Sequence, residues 1–306
     1  MHANNDTWRR GARYFRFGGH QVAYWTHGLI EADTKPLLLV HGFPTCSWDW
    51  AAVWPLLGAE RSLIACDMLG FGLSDKPNMQ YSIDLQADLQ EALLAHLGVT
   101  QWDALVHDYG VSVGQELVAR QLEGSAARGL EQIVFLNGGI FPDQHRARPI
   151  QKLGTSPIGF IVSQFLNRKG FGKSFSQVFG PDTQPSEAEL DIFWEFISEN
   201  GGHRIFHKLL HYIADRRANE ARWVGALKQV QPRVGLVNGA LDPVSGQHAW
   251  QAWRERLPSA RQHLLPKVGH YPQVEAPEEV AAKALEWLAE APRPIRAGSR
   301  RAVRGS

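Results

Sequence analysis

The chain has 306 residues, with 32 Lys and Arg against 31 Asp and Glu. It is long enough to bury one large core, and its balanced charge gives no basic face of the kind nucleic acid requires. Cys46 and Cys66 are the only cysteines; that is too few for a disulfide framework, and their spacing suits no metal, so a reducing compartment is expected. The start MHANNDTWRR lacks the apolar stretch of a signal peptide, and no run approaches the roughly 20 apolar residues of a membrane span. The expectation is a soluble cytoplasmic protein.

Tyr14 to Phe17 and Gln21 to Thr26 read as a strand pair turned by the glycines of FGGH. Pro36 to Val40 is a short apolar run suited to a strand buried on both faces, and it ends in His41-Gly42-Phe43-Pro44. A helix starting near Ser47 and a strand over Leu63 to Cys66 follow. Leu85, Leu89, Leu93 and Leu97 share one helical face in a helix predicted over Tyr81 to Leu97, with Gly98 placed to end it. Strand Asp103 to His107 then runs into a helix over Val111 to Leu122, and Gln132 to Leu136 gives another strand.

After Asn137-Gly138-Gly139 the alternation stops. Residues 141–222 show helical stretches, Glu187 to Ser198 and His203 to Ala214 among them, and no convincing strand. Strands resume at Val234 to Asn238 and Gln262 to Leu265, and Ala276 to Leu288 closes the pattern as an amphipathic helix. Alternating strands and helices predict an α/β fold, a mostly parallel sheet with helices on both faces. The expected division is a core of residues 1–140 and 223–291, a helical cap of residues 141–222 over the carboxyl edge of the sheet, and a tail of residues 292–306. That tail, with five arginines and no acid, reads as disordered rather than as a nucleic-acid arm, because no basic face continues it.

Three polar residues stand at the ends of predicted strands: Asp108 in HDYG, Asp242 in LDP and His270 in GHYP. Alone, each reads as a turn former or a packed loop residue. Together their chain order is that of nucleophile, acid and histidine in an α/β hydrolase, with Asp108 at the strand-to-helix elbow. In that geometry the backbone N–H groups of Tyr109 and Phe43 form the oxyanion hole.

HGFP, GFGLSDKP, HDYG and the late LDP and GH segments resemble the α/β hydrolases of the epoxide hydrolase and haloalkane dehalogenase group, whose nucleophile is aspartate. NGGIFP, VFGPDTQPSEAEL, RRANEARWVGAL and HYPQVEAP extend the likeness to hydrolases of the mesoderm-specific transcript type, over approximately residues 20 to 285. The resemblance implies attack of Asp108 on a saturated carbon, an alkyl ester, and its hydrolysis by water that His270 activates while Asp242 orients the imidazole. A serine would leave an ether at such a carbon, which is hard to hydrolyse. A carboxylate of ordinary pKa, about 3.9, is ionised at neutral pH without a base.

The donors above Asp108 decide between substrates. Dehalogenases of this group usually carry tryptophan after the nucleophile, where this chain has Tyr109, and one branch carries asparagine where it has Phe43. Epoxide hydrolases place two cap tyrosines over the ring oxygen; here Tyr212 is the one tyrosine of the cap, with His207 or His203 as companion, and Trp194 is the candidate halide donor. Epoxide hydrolysis to a diol is therefore the leading expectation and dehalogenation the alternative. Ester or lactone hydrolysis and a non-catalytic binding module follow behind. The chemistry calls for a small organic substrate and water, with no cofactor, metal or nucleic acid. It leaves oligomeric state open.

Overall fold

A computed structural model describes residues 5–31, 34–124, 129–146, 148–156 and 158–290. The tail of residues 292–306 lies outside the described residues. Eight strands form one sheet: β1 (Arg13–Phe17), β2 (His20–His27), β3 (Leu37–Val40), β4 (Leu63–Cys66), β5 (Trp102–Val106), β6 (Leu130–Phe135), β7 (Val234–Gly239) and β8 (Arg261–Leu265), in the order β1-β2-β4-β3-β5-β6-β7-β8. The pairings of β1 with β2 and of β2 with β4 are antiparallel, and all others are parallel. Each strand read from the sequence is present within a residue or two of its expected bounds.

Strand periodicity divides the core. Leu38, Val40, Ile64, Val106, Ile133 and Leu236 face helices Ile83–His96, Tyr109–Glu123 and Gln247–Arg256. Leu37, Leu39, Ala65, Leu105, Val134 and Val237 face Trp50, Leu57 and helix Pro277–Ala289. Both faces of the sheet are covered, as the continuous apolar strands require. Ser82 caps its helix by accepting from the Leu85 N–H at 3.1 Å, and Gly98 takes φ 70° just beyond its end. Helix Asn5–Gly11, absent from the sequence reading, is fixed by Trp8, whose ring stacks on Trp25 at 5.2 Å.

Between β6 and β7 the described residues form helices and no strand: Pro149–Gly154, Gly159–Gln164, Arg168–Ser176, Glu187–Ser198, Phe206–Leu209 and Tyr212–Gln229. The helix expected over His203 to Ala214 is broken. Asn200 and Gly201 have positive φ (48° and 74°), a 3-10 turn runs over Glu199–Ile205, and Tyr212 opens a new helix. That last helix continues without interruption through the boundary expected at residues 222 and 223. Phe171, Phe175, Phe179, Phe193 and Tyr271 form one aromatic cluster, so the excursion is packed against the loop that carries His270.

Candidate active site

The site is built from the turn between β5 and helix Tyr109–Glu123. Asp108 has φ 44° and ψ −101°, a conformation costly for a side chain with a Cβ and characteristic of sharp functional turns. Glycines make room for it. A Cβ at Gly110 would collide with the Val40 carbonyl oxygen, and one at Gly42 would come within 2.9 Å of the Asp108 Cβ. Asp108 therefore stands at the N-terminus of a 15-residue helix, where negative charge is favoured.

One carboxylate oxygen of Asp108, Oδ2, accepts from the Phe43 N–H at 3.1 Å. The other, Oδ1, lies 3.9 Å from His270 Nε2 and 3.7 Å from Arg216 Nη2. The Tyr109 N–H belongs to the first turn of the helix, whose donors have no intrahelical partner. The Phe43–Pro44 peptide bond is cis. His41 secures the same loop: its Nδ1 donates to the Gly42 carbonyl oxygen at 2.9 Å, and its Nε2 accepts from the Met68 N–H at 3.0 Å.

Asp242 is held by the Val244 N–H at 2.7 Å on one oxygen, and by Ser245 Oγ at 2.6 Å, the Ser245 N–H at 3.0 Å and Asn137 Nδ2 at 3.0 Å on the other. His270 Nδ1 sits 2.8 Å from that second oxygen. Burial opposes ionisation of Asp242, but His270 and these donors outweigh it and keep the carboxyl well below the usual carboxylate range. Burial likewise opposes protonation of His270; Asp242 first and Asp108 after it carry the imidazole up to about 9.

The His270 loop has its own supports. His107 Nε2 donates to the His270 carbonyl oxygen at 2.8 Å; burial, then the charge of His270, push His107 down to about 3, so it is neutral at ordinary pH. Glu275 accepts from the N–H groups of Gly180, Gly269 and Tyr271 at 2.8, 2.8 and 2.9 Å. One carboxylate thus ties the loop to the helical excursion.

A cavity of about 250 Å³ opens above Asp108. Phe43, Phe171, Phe175, Phe206 and Leu210 give it apolar walls, and Asp108, His270, Arg148 and Gln151 are among its polar groups. Tyr212, expected to face the substrate, does not line the cavity: it is fully buried behind this wall, and its hydroxyl accepts from Gln151 Nε2 at 3.3 Å. Burial, then the charge of Asp108, raise the Tyr212 hydroxyl, so it stays protonated. Trp194 and His207 do not line the cavity. Trp194 packs on Phe171 and His203, and His207 lies half-buried on the far side of its short helix, beside Phe160. The Tyr109 ring is buried against Phe71 and Tyr212 and does not reach the cavity either.

Arg216 was not visible from the sequence. Its Nη2 donates to the Asp108 carbonyl oxygen at 2.8 Å, its Nε to Ser112 Oγ at 2.6 Å, and its Cζ lies 4.4 Å above the Tyr212 ring. A Cβ at Gly139 would strike its Nη1, an atom with no partner among the described residues. The signals were the four-residue spacing from Tyr212 to Arg216 and the glycine pair after β6, which clears the space.

Residues 37–283 match the model of the Alpha/beta hydrolase family. LipZ of Mycobacterium tuberculosis is 38% identical over 284 residues, covering 92% of this chain and 97% of the relative. The human mesoderm-specific transcript homolog protein is 37% identical over 280 residues, covering 89% and 84%. A haloalkane dehalogenase loop variant from Bradyrhizobium elkanii superposes with a TM-score of 0.73 at 20% identity, over 91% of this chain and 96% of that one.

Proposed function

The chain belongs to the Alpha/beta hydrolase family, and from that premise we propose that it hydrolyses epoxides to diols through an ester on Asp108, beneath a cap formed by residues 141–222. The observation that carries this reading is the division of labour on one carboxylate: Oδ2 on the Phe43 N–H, Oδ1 toward His270, and His270 Nδ1 on Asp242. Oδ1 attacks a ring carbon, the carbon–oxygen bond breaks, and the departing oxygen takes a proton. Oδ2 becomes the carbonyl oxygen of the ester. Water activated by His270 then attacks the ester carbon, and the Phe43 and Tyr109 N–H groups receive the oxyanion before the diol leaves and Asp108 returns.

Charge orders these steps. In the resting site Asp108 helps to keep His270 protonated. Esterification removes that negative charge, so the imidazole loses a proton more readily at the moment when a base is needed.

An alkoxide needs a proton donor, and a halide needs only N–H donors in a dry pocket. Tyr212 does not itself line the cavity; its protonated hydroxyl, set behind the wall and bonded to Gln151 of the lining, is the acid that favours the epoxide. The positions of Tyr109 and Trp194, both away from the cavity, supply nothing for a halide. The test is a panel of epoxides beside chloro- and bromoalkanes, with diol and halide measured separately. Diol from epoxides without halide release is expected; halide release alone would replace this reading with dehalogenation.

A further inference from the structure

Helices Pro149–Gly154 and Gly159–Gln164 turn Gln151, Gly154, Val162 and Ser163 toward the cavity. Their opposite side is apolar too: Leu153 is 39% exposed, Ile158 52%, Phe160 57%, Ile161 46% and Phe165 77%. These are five of the eight large hydrophobic residues exposed among the described residues, so the exposure is concentrated in one short stretch rather than scattered. Helices apolar on both sides are ordinarily covered on both. Here the inner side has the cavity, and the outer side faces solvent.

Charge identifies what covers it. From Gln144 to Pro181 the sequence has no acidic residue and six basic ones, Arg146, Arg148, Lys152, Arg168, Lys169 and Lys173. Arg168 is occupied by Glu187 and Asp191. Lys169 and Lys173 are exposed without a carboxylate partner among the described residues, as is Arg204, whose carbonyl oxygen accepts from Gln164 Nε2 at 3.3 Å. Unneutralised bases around protruding Phe and Ile match the headgroup boundary of an anionic bilayer. A two-fold pairing of this face with a second copy would instead bring like charges together.

We propose that this face docks the protein on an anionic lipid surface, with Phe160, Ile161 and Phe165 entering the headgroup boundary and Lys169, Lys173 and Arg204 meeting the lipid anions. The cavity then lies one helix diameter, about 10 Å, from the bilayer. The proposal stands apart from the chemistry at Asp108.

The full chain is to be cosedimented with vesicles of phosphatidylcholine plus phosphatidylserine and with phosphatidylcholine alone, in low and high salt, and its mass in solution measured by light scattering. Binding to the mixed vesicles, weakened by salt, is expected. Phe160→Asp/Phe165→Asp should lower that binding at least about tenfold, and Lys169→Glu/Arg204→Glu should remove its dependence on phosphatidylserine, with thermal melting of both variants unchanged. Failure of the wild type to bind, or equal binding by a variant that melts normally, would overturn the proposal. A dimer lost in Phe160→Asp/Phe165→Asp without vesicle binding would assign the face to a second copy and overturn it too. A variant that melts early is replaced by Phe165→Ser, read in the same assay.

Discussion

The sheet edge and the helical excursion above it hold their polar groups in different ways. At the edge, Asp242 accepts four hydrogen bonds besides its contact with His270, and the Asp108 backbone is anchored by its N–H to the Asn137 carbonyl oxygen at 2.8 Å. In the excursion, both ring nitrogens of His145, Nδ1 of His203 and His207, and Nη1 of Arg216 are buried without partners among the described residues, as are His107 Nδ1 and the Tyr109 hydroxyl at the edge. A satisfied network fixes one geometry. The edge is thus suited to carry the reacting groups, and the excursion supplies apolar walls of the cavity, Phe171, Phe175, Phe206 and Leu210 among them.

Asp108→Ala should lower kcat by more than about 10³-fold while thermal melting stays close to wild type, since a group that acts in a unit is not replaced by its neighbours. Tyr212→Phe should slow ester formation by about 10²-fold in single-turnover kinetics, the range of a lost acid donor; an unchanged rate would reduce Tyr212 to packing. Arg216→Met removes the hydrogen bonds to the Asp108 carbonyl oxygen at 2.8 Å and to Ser112 Oγ at 2.6 Å, so ester formation in single-turnover kinetics should slow by about tenfold with the substrate's KM little changed. His207→Ala and Trp194→Phe, both off the cavity, should change kcat/KM less than about threefold.

The pH dependence of stability tests the edge by itself. His270 is raised in the folded protein to about 9, above its unfolded value of about 6.5. Its protonation therefore adds stability that is fully present below the unfolded pKa and is lost as pH rises through the folded one. Denaturant unfolding of wild type and His270→Gln should show a gap that shrinks between those limits.

The same contrast explains what was legible in the sequence. Strands place their terminal residues along one edge whatever the exact register, so Asp108, Asp242 and His270 could be grouped from strand ends alone. Tyr212 and His207 depended on helical phase, which Asn200, Gly201 and the new helix at Tyr212 reset; Trp194 lies in a helix present as expected, and its ring packs on Phe171 and His203 instead of facing the cavity. Glu275 acts through backbone N–H groups, and such contacts have no residue-type signature. The exposed apolar face was equally hidden, because period alone does not say which side of a helix a neighbour covers.

In this mechanism Asp108 carries the ester and His270 removes it. Intact-protein and peptide mass spectrometry of His270→Gln, after exposure to an epoxide the wild type turns over, tests it most directly. An accumulating adduct with the mass of the whole epoxide, located on Asp108, is expected. An adduct on another residue, or turnover at the wild-type rate with no adduct, would contradict it.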